Sequence, residues 1–144
     1  MGKMKTYKGK YKVKNPDKYA GDHKLVIYRS MWERFAFRWC ENNKDIKSWV
    51  SEETVIPYIS AIDNKWHRYF PDLKINMRDG RTILVEIKPD KQTKPPKTKR
   101  NIRESLEYVR NQCKWNAAQK YCEDNGYEFQ IWTEKTLKKM GMKF

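Results

Sequence analysis

The chain is short of cysteine, of acid and of long apolar runs, and each shortage excludes a class of protein. Its three cysteines, Cys40, Cys113 and Cys122, make an odd number with no CxxC pair, which argues against a disulfide framework and against a zinc site. Reduced thiols in a cytosolic compartment are the simple expectation, and Cys40 and Cys113 fall on apolar helical stripes, as small core residues do. No apolar stretch nears the roughly 18 residues that a membrane crossing needs, and the basic N-terminus lacks the apolar segment of a secretory signal. There is no internal repeat and no helix-turn-helix, zinc-finger or heptad pattern, so base-specific docking through those modules is not expected.

The shortage of acid is the most informative. Thirty-two Lys and Arg face 18 Asp and Glu, for a net charge of +14 and a pI of about 9.7. Such a field calls for a polyanionic partner, and nucleic acid is the usual one. An anionic membrane surface is the other option, without a span to anchor in it. The 144 residues suit a single domain, and 38% hydrophobic content is too high for a disordered tail. Six Trp and nine Tyr are enough to fill a core and still leave rings on the surface.

Residues 1–20 form a basic arm with seven lysines and one acid, Asp17, and the alternation of Lys with Tyr7, Tyr11 and Val13 fits an edge strand or a loose arm. Residues 21–144 read as one domain. Trp32, Phe35, Ala36, Trp39 and Cys40 repeat at helical spacing over residues 30–42, with Ser30 as N-cap and Glu33 where a capping-box acid belongs. Residues 54–60 (TVIPYIS) read as a strand bent or edged by Pro57, and residues 63–65 as a turn. Residues 66–77 read as extended, Asp79-Gly80 as a hairpin turn, and residues 82–89 (TILVEIKP) as a strand. The doubly prolyl stretch 91–100 is a loop. A long helix is expected over residues 102–124, with an apolar stripe of Ile102, Leu106, Val109, Cys113 and Ala117 and a Gly126 C-cap. A last strand (127–133) and a short helix (134–140) close an α/β fold, a central mixed sheet flanked by helices.

Alternation along residues 82–89 puts Glu86 and Lys88 on one face and Ile83, Val85 and Ile87 on the other, toward the core. The Asp79-Gly80 turn folds Asp72 back to the Glu86 face. Hydrolysis of a phosphodiester needs an activated water and relief of charge at phosphorus, and magnesium held by one or two carboxylates supplies both. Asp72 and Glu86 are the candidate metal ligands, the Ile87 carbonyl a further one, and Lys88 the group that orients the water and stabilises phosphate charge. The same spacing also fits a surface charge cluster on a hairpin.

This arrangement, Pro71-Asp72, a gap of thirteen residues, then Glu86-Ile87-Lys88, resembles the PD-(D/E)XK nuclease superfamily. More blocks resemble one branch. Tyr28-Arg29-Ser30-x-Trp32-Glu33, Val55-Ile56-Pro57-Tyr58, Arg68-Tyr69-Phe70-x-Asp72, Glu86-Ile87-Lys88-Pro89, Pro95-Pro96, Lys114-Trp115-x-Ala117-Ala118-Gln119 and Thr133-Glu134 are similar, in order, to the head completion nucleases of T4-like tailed phages. A more distant similarity is to the nuclease subunit of certain transposases. The resemblance implies a restriction-endonuclease-like core, with helices on both faces of the sheet. It implies magnesium as cofactor, with manganese able to substitute, and double-stranded DNA as substrate. It implies action on packaged DNA before head–tail joining, in the host cytoplasm or the virion, with head and neck proteins as partners and a homodimer as one arrangement. It gives Asp72 and Glu86 the role of metal ligands, Lys88 that of catalytic lysine, and Glu33 that of an acid near the metal.

Arg68, Lys91, Lys94, Lys97, Lys99, Arg100 and Lys114 are the candidate DNA contacts. Gln119 shares the helix of Lys114. His67 alone does not make a ligand, and Glu52 and Glu53 read as a solvated acidic turn. Two further functions stay open on the sequence alone: a non-catalytic basic nucleic-acid-binding module, and a head–tail connector.

Overall fold

The computed structural model describes residues 7–144. Strand β1 (Gly9–Lys10) pairs antiparallel with β2 (Ile27–Tyr28), and helix α1 (Met31–Asn42) follows. The basic segment between β1 and β2 is part of the fold and not a loose arm. Tyr11, Val13 and Tyr19 are buried, and the Tyr11 ring packs edge-on against Phe37 and Trp49. Buried Glu41 anchors the segment by accepting from Tyr11 Oη and, at 2.8 Å each, from the N–H groups of Lys14 and Asn15. Lys18 Nζ donates to the carbonyls of Glu41 (3.1 Å) and Asn43 (2.7 Å) at the C-terminal end of α1, the latter shared with the Ile46 N–H at 3.2 Å. Residues 1–6, the rest of the expected arm, lie outside the described residues.

Beyond α1 come β3 (Ile46–Ser51), β4 (Ile56–Ile59), β5 (Trp66–Tyr69), β6 (Leu73–Met77), β7 (Thr82–Ile87), helix α2 (Ile102–Asn125), β8 (Glu128–Trp132) and helix α3 (Glu134–Lys139). The main sheet has the order β3-β6-β7-β8, antiparallel except for the parallel β7–β8 pair, whose connection carries α2. It is a mixed sheet with helices on both faces. Trp32, Ala36, Phe37 and Cys40 of α1 pack with Trp49, Ile75, Val85 and Leu137 on one side, and Trp115, Ala118 and Cys122 of α2 pack with Leu84 on the other.

Three expectations change. The single extended run over 66–77 is two strands in different sheets: β5 pairs with β4 in a separate ribbon, and β6 lies in the main sheet. Strand β3 has no counterpart among the expected elements. The expected stripe of α2 is largely wrong: Ile102, Leu106 and Val109 are exposed, Ile102 at 70%, and the buried line is Asn111, Trp115, Ala118 and Cys122. The helix is longer than the sheet it covers, so its first two turns project beyond the core. Gly126 ends it at φ 70°, a left-handed C-cap.

Candidate active site

Strand β7 is buried on both faces. Ile83, Val85 and Ile87 enter the α1 side of the core, and Leu84 enters the α2 side. Glu86 shares the Leu84 face and is only 6% exposed, so an acid sits where the pattern of the strand would place an apolar residue. The β6–β7 register pairs Leu73 with Val85 and Lys74 with Leu84. Asp72, in the bend just before β6, stands level with Glu86 when this register is continued by one residue. Pro71 and Asp72 interrupt the chain between the two sheets, and Asp72 Oδ2 accepts from the N–H of Ile87 at 2.7 Å, replacing a ladder bond.

Glu86 is held at both oxygens. Tyr69 Oη donates to Oε1 at 2.5 Å, and Lys88 Nζ lies 3.3 Å from Oε2. Glu33 reaches the site from the third helical position of α1. Ser30 Oγ accepts from its N–H at 3.1 Å, as the sequence pattern suggests. Its carboxylate does not close a capping box, however, and instead accepts from the N–H of Arg29 at 3.1 Å. Burial raises the Glu33 carboxyl to about 7; the Arg29 N–H opposes this, and the charges of Glu52 and Glu86 add to it. Burial also holds Asp72 well above the usual carboxylate range, reinforced by Glu86 and Glu33 and opposed by the Ile87 N–H and Lys88. The Tyr69 hydroxyl is pushed up by burial and by the negative charge of Glu86.

Three carboxylates thus share one buried corner with one ammonium, and their mutual repulsion is what a bound cation would relieve. Among the described residues, Asp72 Oδ1 and Glu33 Oε2 accept no hydrogen bond. No group of three or more His, Cys, Asp and Glu among those residues is arranged to hold a metal ion. Asp72, half-buried with Oδ1 free, and buried Glu86, whose oxygens each keep a second lone pair beside Tyr69 and Lys88, still fit magnesium, which binds through one or two carboxylates and keeps several waters.

Two groups were missed in the sequence reading. Tyr69 stands in the quoted Arg68-Tyr69-Phe70 block, but nothing local marks it as the donor to Glu86. Glu52 is not a free solvated acid: it adopts φ 53°, its N–H donates to the Asp72 carbonyl at 3.3 Å, and Arg29 Nε grips its carboxylate at 3.0 and 3.2 Å. Only the tertiary fold brings these together.

The candidate DNA contacts divide by position. Lys91, Lys97, Lys99 and Arg100 are exposed on the loop between β7 and α2. Lys94 is exposed but pairs with Asp90 at 3.2 Å. Lys114 is half-buried on α2, its Nζ 5.9 Å from the centre of the Tyr69 ring, so it overlooks the Glu86 side of the site. Arg68 faces outward on β5 with its guanidinium 5.7 Å from the Phe70 ring. Gln119 is exposed, and His67, on β5, bonds at 2.8 Å to Oδ2 of Asp63 in the turn between β4 and β5, apart from Asp72, Glu86 and Glu33. A cleft of about 730 Å³, lined by residues that include Lys14, Lys18, Glu41 and Arg78, lies at the C-terminal end of α1 and includes none of the three site carboxylates.

Residues 43–134 match the family model described as TnsA-like endonuclease N terminal, a stretch that runs from just before β3 to the start of α3 and includes Asp72, Glu86 and Lys88. The chain is also 40% identical to the head completion nuclease of Enterobacteria phage T4, over 96% of its own length and 98% of the relative's.

Proposed function

Since the chain belongs to the TnsA-like endonuclease family and aligns almost end to end with a head completion nuclease, we propose that it hydrolyses DNA phosphodiesters at Asp72, Glu86 and Lys88, with a divalent metal ion, during phage head completion. The observation that carries this reading is the buried corner itself. A strand that is otherwise core holds an acid, a second acid stands level with it across the β6–β7 pair, and an amine lies 3.3 Å away. Burying such charges is unfavourable, and Lys88, Tyr69 and the Ile87 N–H offset only part of it, since the Asp72 carboxyl stays raised; groups perturbed in this way are candidates for chemistry.

Asp72 and Glu86 would hold the ion, with the Ile87 carbonyl as a further donor; magnesium is the expected ion and manganese a substitute. When bound, the ion supplies a water acidic enough to attack phosphorus and positive charge for the phosphate oxygens. The chain's own groups do the rest. Tyr69 fixes the rotamer of Glu86 through Oε1. Lys88 keeps one ammonium beside that carboxylate, within reach of a phosphate oxygen and of the attacking water. Glu33, with a carboxyl near neutrality, can accept and release a proton at the edge of the site. Lys114 and the cations of the 91–100 loop provide phosphate contacts. The work would take place in the host cytoplasm, on packaged DNA and before head–tail joining, with head and neck proteins as neighbours.

A plasmid assay tests this. Supercoiled DNA should be nicked or degraded with magnesium and spared with chelator. Asp72→Asn keeps an acceptor for the Ile87 N–H while removing the charge, and Lys88→Ala removes the amine; each should lower cleavage at least about 100-fold. Full activity in Asp72→Asn, or binding without cutting under every divalent metal, would refute the reading and leave a non-catalytic DNA-binding or connector protein.

A further inference from the structure

The β4–β5 ribbon has two unlike faces. Its register pairs Ile56 with Tyr69 and Tyr58 with His67 on one face, and Pro57 with Arg68 and Ile59 with Trp66 on the other. Ile56, Tyr58 and Tyr69 pack against α2. The other face, extended by Val55 and Phe70, is open: Val55, Ile59, Trp66 and Phe70 are all exposed, Trp66 at 69%. Along β5 this face reads Trp66, Arg68, Phe70, two rings with a guanidinium between them and drawn over one of them. The intervening residue, Tyr69, points the opposite way and bonds to Glu86. Glu86 therefore lies on the opposite side of the ribbon from this face, and the platform approaches the site at its Phe70 end, two residues before Asp72 in the chain.

We propose that this face is a stacking platform for unpaired DNA bases, so that the substrate is a duplex carrying a single-stranded or frayed segment beside the scissile phosphate. This rests on the nuclease function proposed above. Rings that offer their faces without hydrogen-bond readout, combined with a cation, are the chemistry by which single strands are held. The size and charge of the patch favour that occupant over a second copy of the chain. Two strands about 4.8 Å apart and four paired residues long present a face of roughly 13 by 10 Å, an area on the order of 130 Å² and well short of the about 800 Å² per partner of a stable protein interface. The chain carries +14, and Arg68 is the only charged residue among the six on this face, so two copies would oppose their arginines with no acid to meet them.

The test is equilibrium binding, in chelator so that nothing is cut, of a labelled blunt duplex and of the same duplex with an oligothymidine tail. The parent should prefer the tailed duplex. Trp66→Ala and Phe70→Ala should each weaken tailed-duplex binding by about 5- to 150-fold, leave blunt-duplex binding and melting temperature unchanged, and Trp66→Tyr should restore the preference. Equal binding of both duplexes by the parent, or equal loss of both in the variants, overturns the proposal. So does a parent that sediments as a dimer and becomes a monomer in Trp66→Ala, which would assign the face to a second copy. Cleavage of plasmid without tail preference would sink this inference alone; tail preference without cleavage would sink only the nuclease reading.

Discussion

Glu33 titrates where the rest of the site needs it, and that has a stability consequence. The unfolded chain ionises this carboxyl near 4.5 and the folded chain near 7, so between those values the folded state holds more protons. Stability from this group is full below 4.5 and is lost as pH rises through 7, and the raised Asp72 acts in the same direction. In chelator, the melting temperature should fall between pH 5 and pH 8. Glu33→Gln should flatten that fall, raising the value at pH 8 by on the order of 5 °C with little change at pH 5. A parallel fall in the variant would mean that Glu33 is not the titrating group. Tyr69→Phe makes a different prediction, because the ring stays packed while the donor to Glu86 is removed. Metal affinity, followed by calorimetry with manganese, should drop about 10- to 100-fold with the melting temperature changed by only a few degrees; unchanged affinity would remove Tyr69 from the site. The juxtaposition of Asp72, Glu86 and Lys88 was legible from strand alternation and the Asp79-Gly80 turn, whereas Glu33 was suggested only by the family resemblance. Tyr69 and Glu52 were not, because each meets the site through the tertiary fold.

At the scale of elements, the N-terminal segment shows how far charge patterning can mislead. Seven lysines alternating with Tyr7, Tyr11 and Val13 left an edge strand and a loose arm both open, and Tyr11 and Val13 are core. Removing residues 1–8 should leave the melting temperature within a few degrees. Removing residues 1–20 strips three buried side chains, each worth about 1.5–3 kcal/mol, and the Lys18 cap from a domain whose total stability is of order 10 kcal/mol. That truncation should not fold, by circular dichroism or by proteolysis; a folded product would restore the detached arm. Helix α1 was legible because one buried face repeats at helical spacing, and β7 and β8 because each is a short β-rich run bounded by turn residues, although β7 is buried on both faces. Strand β3 was not, because a register shift between Ile46 and Ser48 breaks its alternation. The stripe of α2 failed because periodicity locates an apolar line, not the length of core available to cover it.

At the scale of the whole molecule, the excess of 14 positive charges was legible as a polyanion partner, though not where that partner lies. Lys91, Lys97, Lys99 and Arg100 project from one exposed loop that leaves the end of β7. Replacing all four with Ala should reduce the slope of log affinity for duplex DNA against log salt by about 3 to 4, near 0.9 for each phosphate no longer neutralised. An unchanged slope would show that the loop points away from DNA. The fold, the charge and the loop all matter only if the buried corner holds an ion, and manganese shows that most directly. In a crystal soaked with manganese, the anomalous difference map should contain a peak about 2.1 Å from a carboxylate oxygen of Asp72 and of Glu86, and the peak should vanish in Asp72→Asn. A crystal of active protein with manganese bound elsewhere, and none between those two side chains, would contradict it.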